Sequence, residues 1–244
     1  MNTFMALQSK LIILQAISQK NCVLCGMTSK QDLCTACRDN LPQIPANHCP
    51  TCLLPVATSL TCGTCLKTQP AFTRSIAALQ YTFPVNALIH SLKYQSNLAI
   101  APVLANLLLE KTNVAKKPDF IVPMPLHPKR LKERGFNQAL EIARYISNHN
   151  KITLLPDTCI RVRNTASQTT LPWTDRQKNI RDAFSCKMDF SSKHVAVVDD
   201  VMTTGATLNE ISKVLRQCGA EEVSGWMVAR AFLELNKTTI NTHF

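Results

Sequence analysis

His194-Val195-Ala196-Val197-Val198-Asp199-Asp200-Val201-Met202-Thr203-Thr204-Gly205-Ala206-Thr207 is the stretch on which the fold turns. Its β-branched start, 194–198, predicts a strand that ends in two adjacent carboxylates. A loop of small hydroxylated residues follows and leads into a helix over 208–217, stopped by Gly219. Gly205 permits a backbone turn and close approach of a ligand, and the Thr203, Thr204 and Thr207 hydroxyls with nearby N–H groups can surround a phosphate at the helix N-terminus. Asp199 and Asp200 suit vicinal sugar hydroxyls as hydrogen-bond acceptors. The alternative is a strand-turn-helix with two exposed aspartates, against which stands the mutual repulsion of adjacent carboxylates that lack a ligand.

Around this stretch, apolar segments alternate between the two periods. Residues 120–122 predict a buried strand running into Pro123-Met124-Pro125, 137–146 an amphipathic helix, 152–155 a strand and 223–229 another. Such alternation predicts an α/β fold, a mostly parallel sheet with helices on both faces and ligands at the carboxyl ends of its strands. Residues 161–181 are polar and aperiodic, which predicts a long loop of the kind that serves as a lid. In Pro123-Met124-Pro125-Leu126-His127-Pro128-Lys129-Arg130-Leu131-Lys132-Glu133-Arg134-Gly135-Phe136-Asn137-Gln138, four cations stand near a second helix start. That placement suits a diphosphate, with a solvated basic turn as the alternative.

Upstream the composition changes. Eight of eleven cysteines lie between residues 22 and 65, in the pairs Cys22/Cys25, Cys34/Cys37, Cys49/Cys52 and Cys62/Cys65. Each Cys-x-x-Cys can turn two sulfurs onto one ion, and two pairs make the tetrahedral thiolate set of structural Zn²⁺. Four pairs predict about two zinc ions. Short intervals favour consecutive over interleaved pairing, and an iron–sulfur cluster or disulfides remain as alternatives. His48 could replace a thiolate or face solvent, whereas Cys159, Cys186 and Cys218 stand isolated in the sequence and read as small buried hydrophobes.

The formal charge of +11 points to a polyanionic partner; two Zn²⁺ on eight thiolates would leave about +7, still basic. Leu7, Leu11, Leu14 and Ile17 recur at helical spacing, so 1–20 predicts an N-terminal helix rather than a secretion signal. No run approaches a membrane span, and the paired cysteines read as metal ligands of a cytoplasmic protein. The organisation expected is an N-terminal helix (1–20), a double zinc ribbon (21–68) and a larger α/β domain (71–236), with the boundary near Pro70.

From Val195 to Thr207 the sequence resembles the type I phosphoribosyltransferases, with Ala196 standing where a larger aliphatic is usual. That resemblance implies ribose hydroxyls on Asp199 and Asp200, the candidate catalytic pair, and a 5′-phosphate on Met202, Thr203, Thr204, Gly205, Ala206 and Thr207. Together with the cysteine pairs, Leu92-Lys93-Tyr94, Arg163-x-x-x-x-Gln168 and Arg176-x-x-Asn179, the chain over roughly 20–232 resembles the ComF family. Members join a double zinc ribbon to a phosphoribosyltransferase domain and are associated with uptake or use of external DNA. The resemblance implies phosphoribosyl diphosphate with Mg²⁺ as ligand and a diphosphate loop at Arg134 to Gln138, so that with the cations before it Lys129, Arg130, Arg134 and Gly135 are the candidate diphosphate residues. It also implies a lid spanning 161–181 that carries Arg163, Gln168 and Arg176. Two functions stay open: transfer of phosphoribose to an unknown acceptor, or a non-catalytic module that binds a nucleotide sugar or single-stranded DNA beside a helicase-like uptake partner. Aromatic residues make up only 6% and are too scattered to define a base-stacking platform, which counts against the second.

Overall fold

A computed structural model describes residues 20–58, 60–112, 117–164 and 180–232. The helix expected over 1–20 and the lid residues Gln168 and Arg176 lie outside these. The ribbon region holds β1 (Lys20–Asn21), β2 (Thr28–Ser29), α1 (Thr35–Asp39) and α2 (Gly63–Lys67). The larger region runs β3 (Arg74–Gln80), α3 (Val85–Tyr94), α4 (Ile100–Leu109), β4 (Phe120–Pro123), α5 (Pro128–Arg134), α6 (Gln138–Asn150), β5 (Thr153–Leu154), β6 (Cys159–Arg161), β7 (Phe184–Cys186), β8 (His194–Met202), α7 (Ala206–Gln217) and β9 (Glu222–Arg230).

Five strands form one sheet in the order β3-β9-β8-β4-β5, and every neighbouring pair is parallel. Its two faces are separated by side-chain alternation along each strand. In β8, Ala196 and Val198 enter one core with Leu88, Ile89, Leu104 and Ile142 from α3, α4 and α6. Val195 and Val197 enter the other with Leu208, Ile211 and Leu215 of α7. A buried two-sided sheet explains the near-continuous apolar run of 195–198. Helix ends follow local chemistry: Asn137 caps α6 by accepting from the Ala139 N–H at 3.0 Å, and Gly135 closes α5 in the left-handed region at φ 83°.

The ribbon region straddles the sheet. Leu33 and Leu41 of the first half join the α3/α4/α6 core, whereas Leu53 and Cys65 of the second half join the α7 core. The chain between them crosses the free edge of β3, where Gln43 bridges Leu79 antiparallel and the Gln80 N–H donates to Pro42 O at 2.8 Å. An edge strand is thereby covered rather than left to pair with another molecule.

Three expectations need revision. β8 does not end before the carboxylates but continues to Met202, with Asp199 opposite Met227 and Val201 opposite Ala229 on β9. The basic segment forms its own short helix, α5, before α6 begins. The loop expected over 161–181 has structured ends, a two-stranded antiparallel hairpin in which Arg161 pairs with Phe184, so Arg161 belongs to a strand and the loop begins after it.

Candidate functional site

The two cysteine sets are built on one local plan. In the first, the Gly26 N–H donates to Cys22 O at 2.9 Å and the Cys22 N–H to Met27 O at 2.9 Å; in the second, Leu53 donates to Cys49 O at 2.8 Å and Cys49 to Leu54 O at 2.9 Å. Each second pair opens a short helix with its first cysteine as cap, Cys34 at φ −68°, ψ 156° and Cys62 at φ −69°, ψ 157°. The folding brings Cys22, Cys25, Cys34 and Cys37 into one cluster and Cys49, Cys52, Cys62 and Cys65 into another, all sulfurs within 4.8 Å of their cluster mates. Consecutive pairing is therefore the arrangement adopted.

The geometry fits zinc. Four Zn–S bonds of about 2.3 Å in a tetrahedron imply sulfurs about 3.8 Å apart; Cys25 and Cys34 stand at 3.8 Å and Cys52 and Cys62 at 3.5 Å. The electrostatics also call for a cation. Burial pushes the Cys22 thiol up, but the backbone N–H groups of Cys34, Cys25 and Leu24 outweigh it and bring it down to about 6. Cys49 is likewise brought to about 6 against its burial, by Cys62, Cys52 and Thr51. Beside one such thiolate the remaining sulfurs resist ionisation: neighbouring sulfurs push Cys37 to about 12, and burial pushes Cys52 to about 11. A divalent ion removes that conflict. His48 belongs to neither cluster, and its Nδ1 lies 2.6 Å from Pro45 O.

The second site is a cleft at the carboxyl ends of β4 and β8, lined by Lys93, Tyr94, Arg130, Arg134, Arg161, Asp199, Asp200, Thr203 and Thr207 among others. β8 delivers the carboxylates, and because side chains alternate along a strand the two differ. Asp200 is 3% exposed; its Oδ1 accepts from Lys93 Nζ at 2.8 Å, while its buried Oδ2 has no hydrogen-bond partner. A buried carboxyl oxygen left without a partner marks a place prepared for a donor or cation. Asp199 accepts from the Asp200 N–H at 2.8 Å, yet burial and the neighbouring Asp200 charge raise its carboxyl to about 7. Burial works against the Lys93 charge, but the Asp200 carboxylate outweighs it and holds Lys93 above its usual value.

Beyond the carboxylates the loop turns at Gly205, φ 79°, into α7. A Cβ on Gly205 would sit 2.8 Å from Met202 Cε, so only glycine fits without a shift. Thr204 Oγ1 accepts from the Ala206 N–H at 3.1 Å, and Thr203 and Thr207 line the cleft. The side chains of Met202 and Ala206 are buried and form the floor of this loop. On the opposite wall Arg134 lies over the Tyr94 ring at 5.5 Å and also donates to Gln138. Arg161 is buried; desolvation and the nearby Arg130 charge lower it to about 10 although the Asp199 carboxyl acts the other way, so cations crowd this end of the cleft.

Of the residues expected at a diphosphate site, Arg130 and Arg134 reach the cleft, Lys129 is exposed outside its lining and Gly135 is a helix cap. Arg163 is exposed and donates to Arg181 O, closing the base of the segment whose other lid residues are not described. Sequence reading assigned no role to Lys93, Arg161 or Arg230. Lys93 lay inside the quoted Leu92-Lys93-Tyr94, and its signal was a lysine on the otherwise apolar face of α3. Arg161 and Arg230 are cations inside apolar strand-like segments, a signal available from residue type alone.

Comparison with known proteins adds the following. Residues 13–66 match the double zinc ribbon domain. The chain is 38% identical over 213 residues to Competence protein F of Haemophilus influenzae, covering 83% of this chain and 92% of that protein. It is 36% identical over 219 residues to DNA utilization protein YhgH of Salmonella typhimurium, covering 86% and 96%. Among solved structures it is similar to glutamine phosphoribosylpyrophosphate amidotransferase of B. subtilis complexed with ADP and GMP, at 21% identity over 51% of this chain and 25% of that chain, with a TM-score of 0.35.

Proposed function

The chain belongs to the ComF family, and from that premise we propose that its cleft binds phosphoribosyl diphosphate and transfers phosphoribose to an acceptor nitrogen in the use of external DNA. The observation that carries this reading is the buried, partnerless Asp200 Oδ2 in a cleft that Lys93, Arg130, Arg134 and Arg161 also line. Polyanion recognition alone would not place two carboxylates there; a sugar carrying phosphates at both ends needs both chemistries. The 5′-phosphate lies on the N–H groups and hydroxyls of 203–207 at the α7 N-terminus, where the helix dipole favours an anion. Asp199 and Asp200 accept from the ribose hydroxyls, and Arg130, Arg134 and Arg161 face the diphosphate.

In the reaction the acceptor nitrogen forms a bond to C1 of the ribose while the C1–O bond to diphosphate breaks, the diphosphate leaving with the electron pair. The nitrogen's proton passes to solvent, so no side chain need act as a strong base. The guanidinium groups stabilise charge that grows on the departing oxygens. Mg²⁺, when bound with the diphosphate, supplies further neutralisation there.

Titration calorimetry with phosphoribosyl diphosphate and Mg²⁺ tests binding, and diphosphate release in the presence of bases, nucleotides or single-stranded DNA tests transfer. Asp199→Asn with Asp200→Asn is expected to weaken binding about tenfold to a hundredfold per lost contact. DNA affinity is expected to hold or rise, because two negative charges have gone. Binding without diphosphate release on any acceptor would support a sensor or carrier instead. No binding at all would end the proposal.

A proton dependence follows from Asp199. Its raised carboxyl is protonated below about 7, so a ligand that needs the charged form must displace a proton there. Affinity is expected to climb about tenfold per pH unit below 7 and level off above it. A flat profile between pH 6 and 8 would remove Asp199 from the ligand contacts.

A further inference from the structure

Arg230 is the last residue of β9 and is 1% exposed. Its Nε donates to Cys52 O at 2.9 Å, inside the second zinc ribbon. Its Nη1 donates to Met202 O at 3.2 Å and also to Thr203 O and Ala231 O. One guanidinium thus joins the carbonyl of a metal-ligating cysteine to the first residues of the phosphate loop. Its backbone cannot drift, being paired in register with Met202 on β8 and Gln80 on β3. Burying a guanidinium is costly unless its donors are used, so these carbonyls and this cation hold one another in place.

A second contact runs the same way. Met202 and Phe72 lie under Gly205, with Phe72 Cζ 3.8 Å from where its Cβ would stand. Phe72 in turn borders Cys65 and Leu66 of the same ribbon. The first ribbon reaches the domain elsewhere, through Leu33 and Leu41 in the α3/α4/α6 core and the Arg38–Glu110 pair.

We infer that the second zinc cluster and the phosphate loop are one mechanical unit, with Arg230 as the positioning residue between them. Metal in the second ribbon holds residues 203–207 in place, and metal in the first does not. A guanidinium suits this post because its rigid planar fork spreads donors in fixed directions toward carbonyls on two separate segments, whereas an ammonium is a compact point donor. The loop's part in phosphate binding rests on the function proposed above; the tie itself does not.

The test is amide hydrogen exchange of the zinc-loaded full chain, wild type against Arg230→Lys, Cys62→Ser and Cys34→Ser, with metal content measured for each. Arg230→Lys keeps the charge but not the fork, and Cys62→Ser opens the second cluster. Both are expected to speed exchange at 203–207 about tenfold while β8 residues 195–198 stay protected. Cys34→Ser, which opens the first cluster, is expected to leave 203–207 unchanged. Phosphoribosyl diphosphate affinity should fall about tenfold in the first two variants only. If a variant does not fold, stepwise chelation of the wild-type chain supplies the same comparison, since loop exchange should follow the zinc of the second cluster. Unchanged exchange at 203–207, or equal loosening by loss of either zinc, overturns the inference. Should the wild type bind no phosphoribosyl diphosphate while the exchange pattern holds, the tie stands and the proposed function falls.

Discussion

The two ribbons share a backbone plan and differ in what they have been fitted to. At the turn after each first knuckle the chain enters the left-handed region, at Gly26 with φ 73° in the first ribbon and at Leu53 with φ 64° in the second. Nothing lies within 4 Å of a Cβ placed on Gly26, whereas Leu53 is 3% exposed in the α7 core. The first ribbon uses the residue its backbone prefers. The second accepts a backbone cost because the side chain it carries anchors the cluster to the sheet. Geometry around the metal is thus common to both, and docking separates them.

The largest effect that could break this comparison is loss of metal. Each structural zinc contributes on the order of 10 kcal/mol at neutral pH, and the first cluster is the more open, with Cys25 exposed where Cys49, Cys52 and Cys65 are buried. A chelator is expected to remove about two zinc ions in two phases, with thiol labelling followed by mass spectrometry finding 22–37 modified before 49–65. A single phase would show that docking does not protect the second site. Next in size is the turn itself. Leu53→Gly should lose about 2–3 kcal/mol of burial and regain about 1 from the relaxed backbone. Gly26→Ala should cost about 1 kcal/mol with no packing gained. Urea unfolding of both variants checks the order, and equal losses would mean the two turns are equivalent. The smallest effect concerns Arg38, whose pair with Glu110 leaves both side chains about two-fifths exposed. Arg38→Ala should cost under about 1 kcal/mol, less in high salt, in contrast to the buried Arg230 guanidinium that holds the other ribbon.

The metal ligands were legible because their spacing is local: a Cys-x-x-Cys states its geometry within four residues. The turn at Gly205 into α7 was legible for the same reason. The course of β8 past Val198 was not, because Asp199 and Asp200 read as a loop until β9 supplies the parallel partner that keeps them extended. Nor did local reading bring Lys93 and Arg161 to the cleft, as they arrive from elements far away in the chain. Cys159, Cys186 and Cys218, isolated in the sequence, also meet. Cys159 stands opposite Cys186 across the hairpin, and Cys218 Sγ is 3.7 Å from Cys186 O. Spacing cannot announce contacts that tertiary packing creates.

β9, the last strand described, lies between β3, the sheet's first strand, and β8, and its final residue grips the second ribbon. As the chain leaves the ribosome, both ribbons can take metal while their docking surface is still incomplete, and two long apolar strands wait side by side for a partner yet to be made. That arrangement stores most of its contacts at high sequence separation, which slows folding and prolongs exposure of unpaired edges. The edges of β3 and β8 that β9 covers therefore stay unpaired until residues 222–230 have been made.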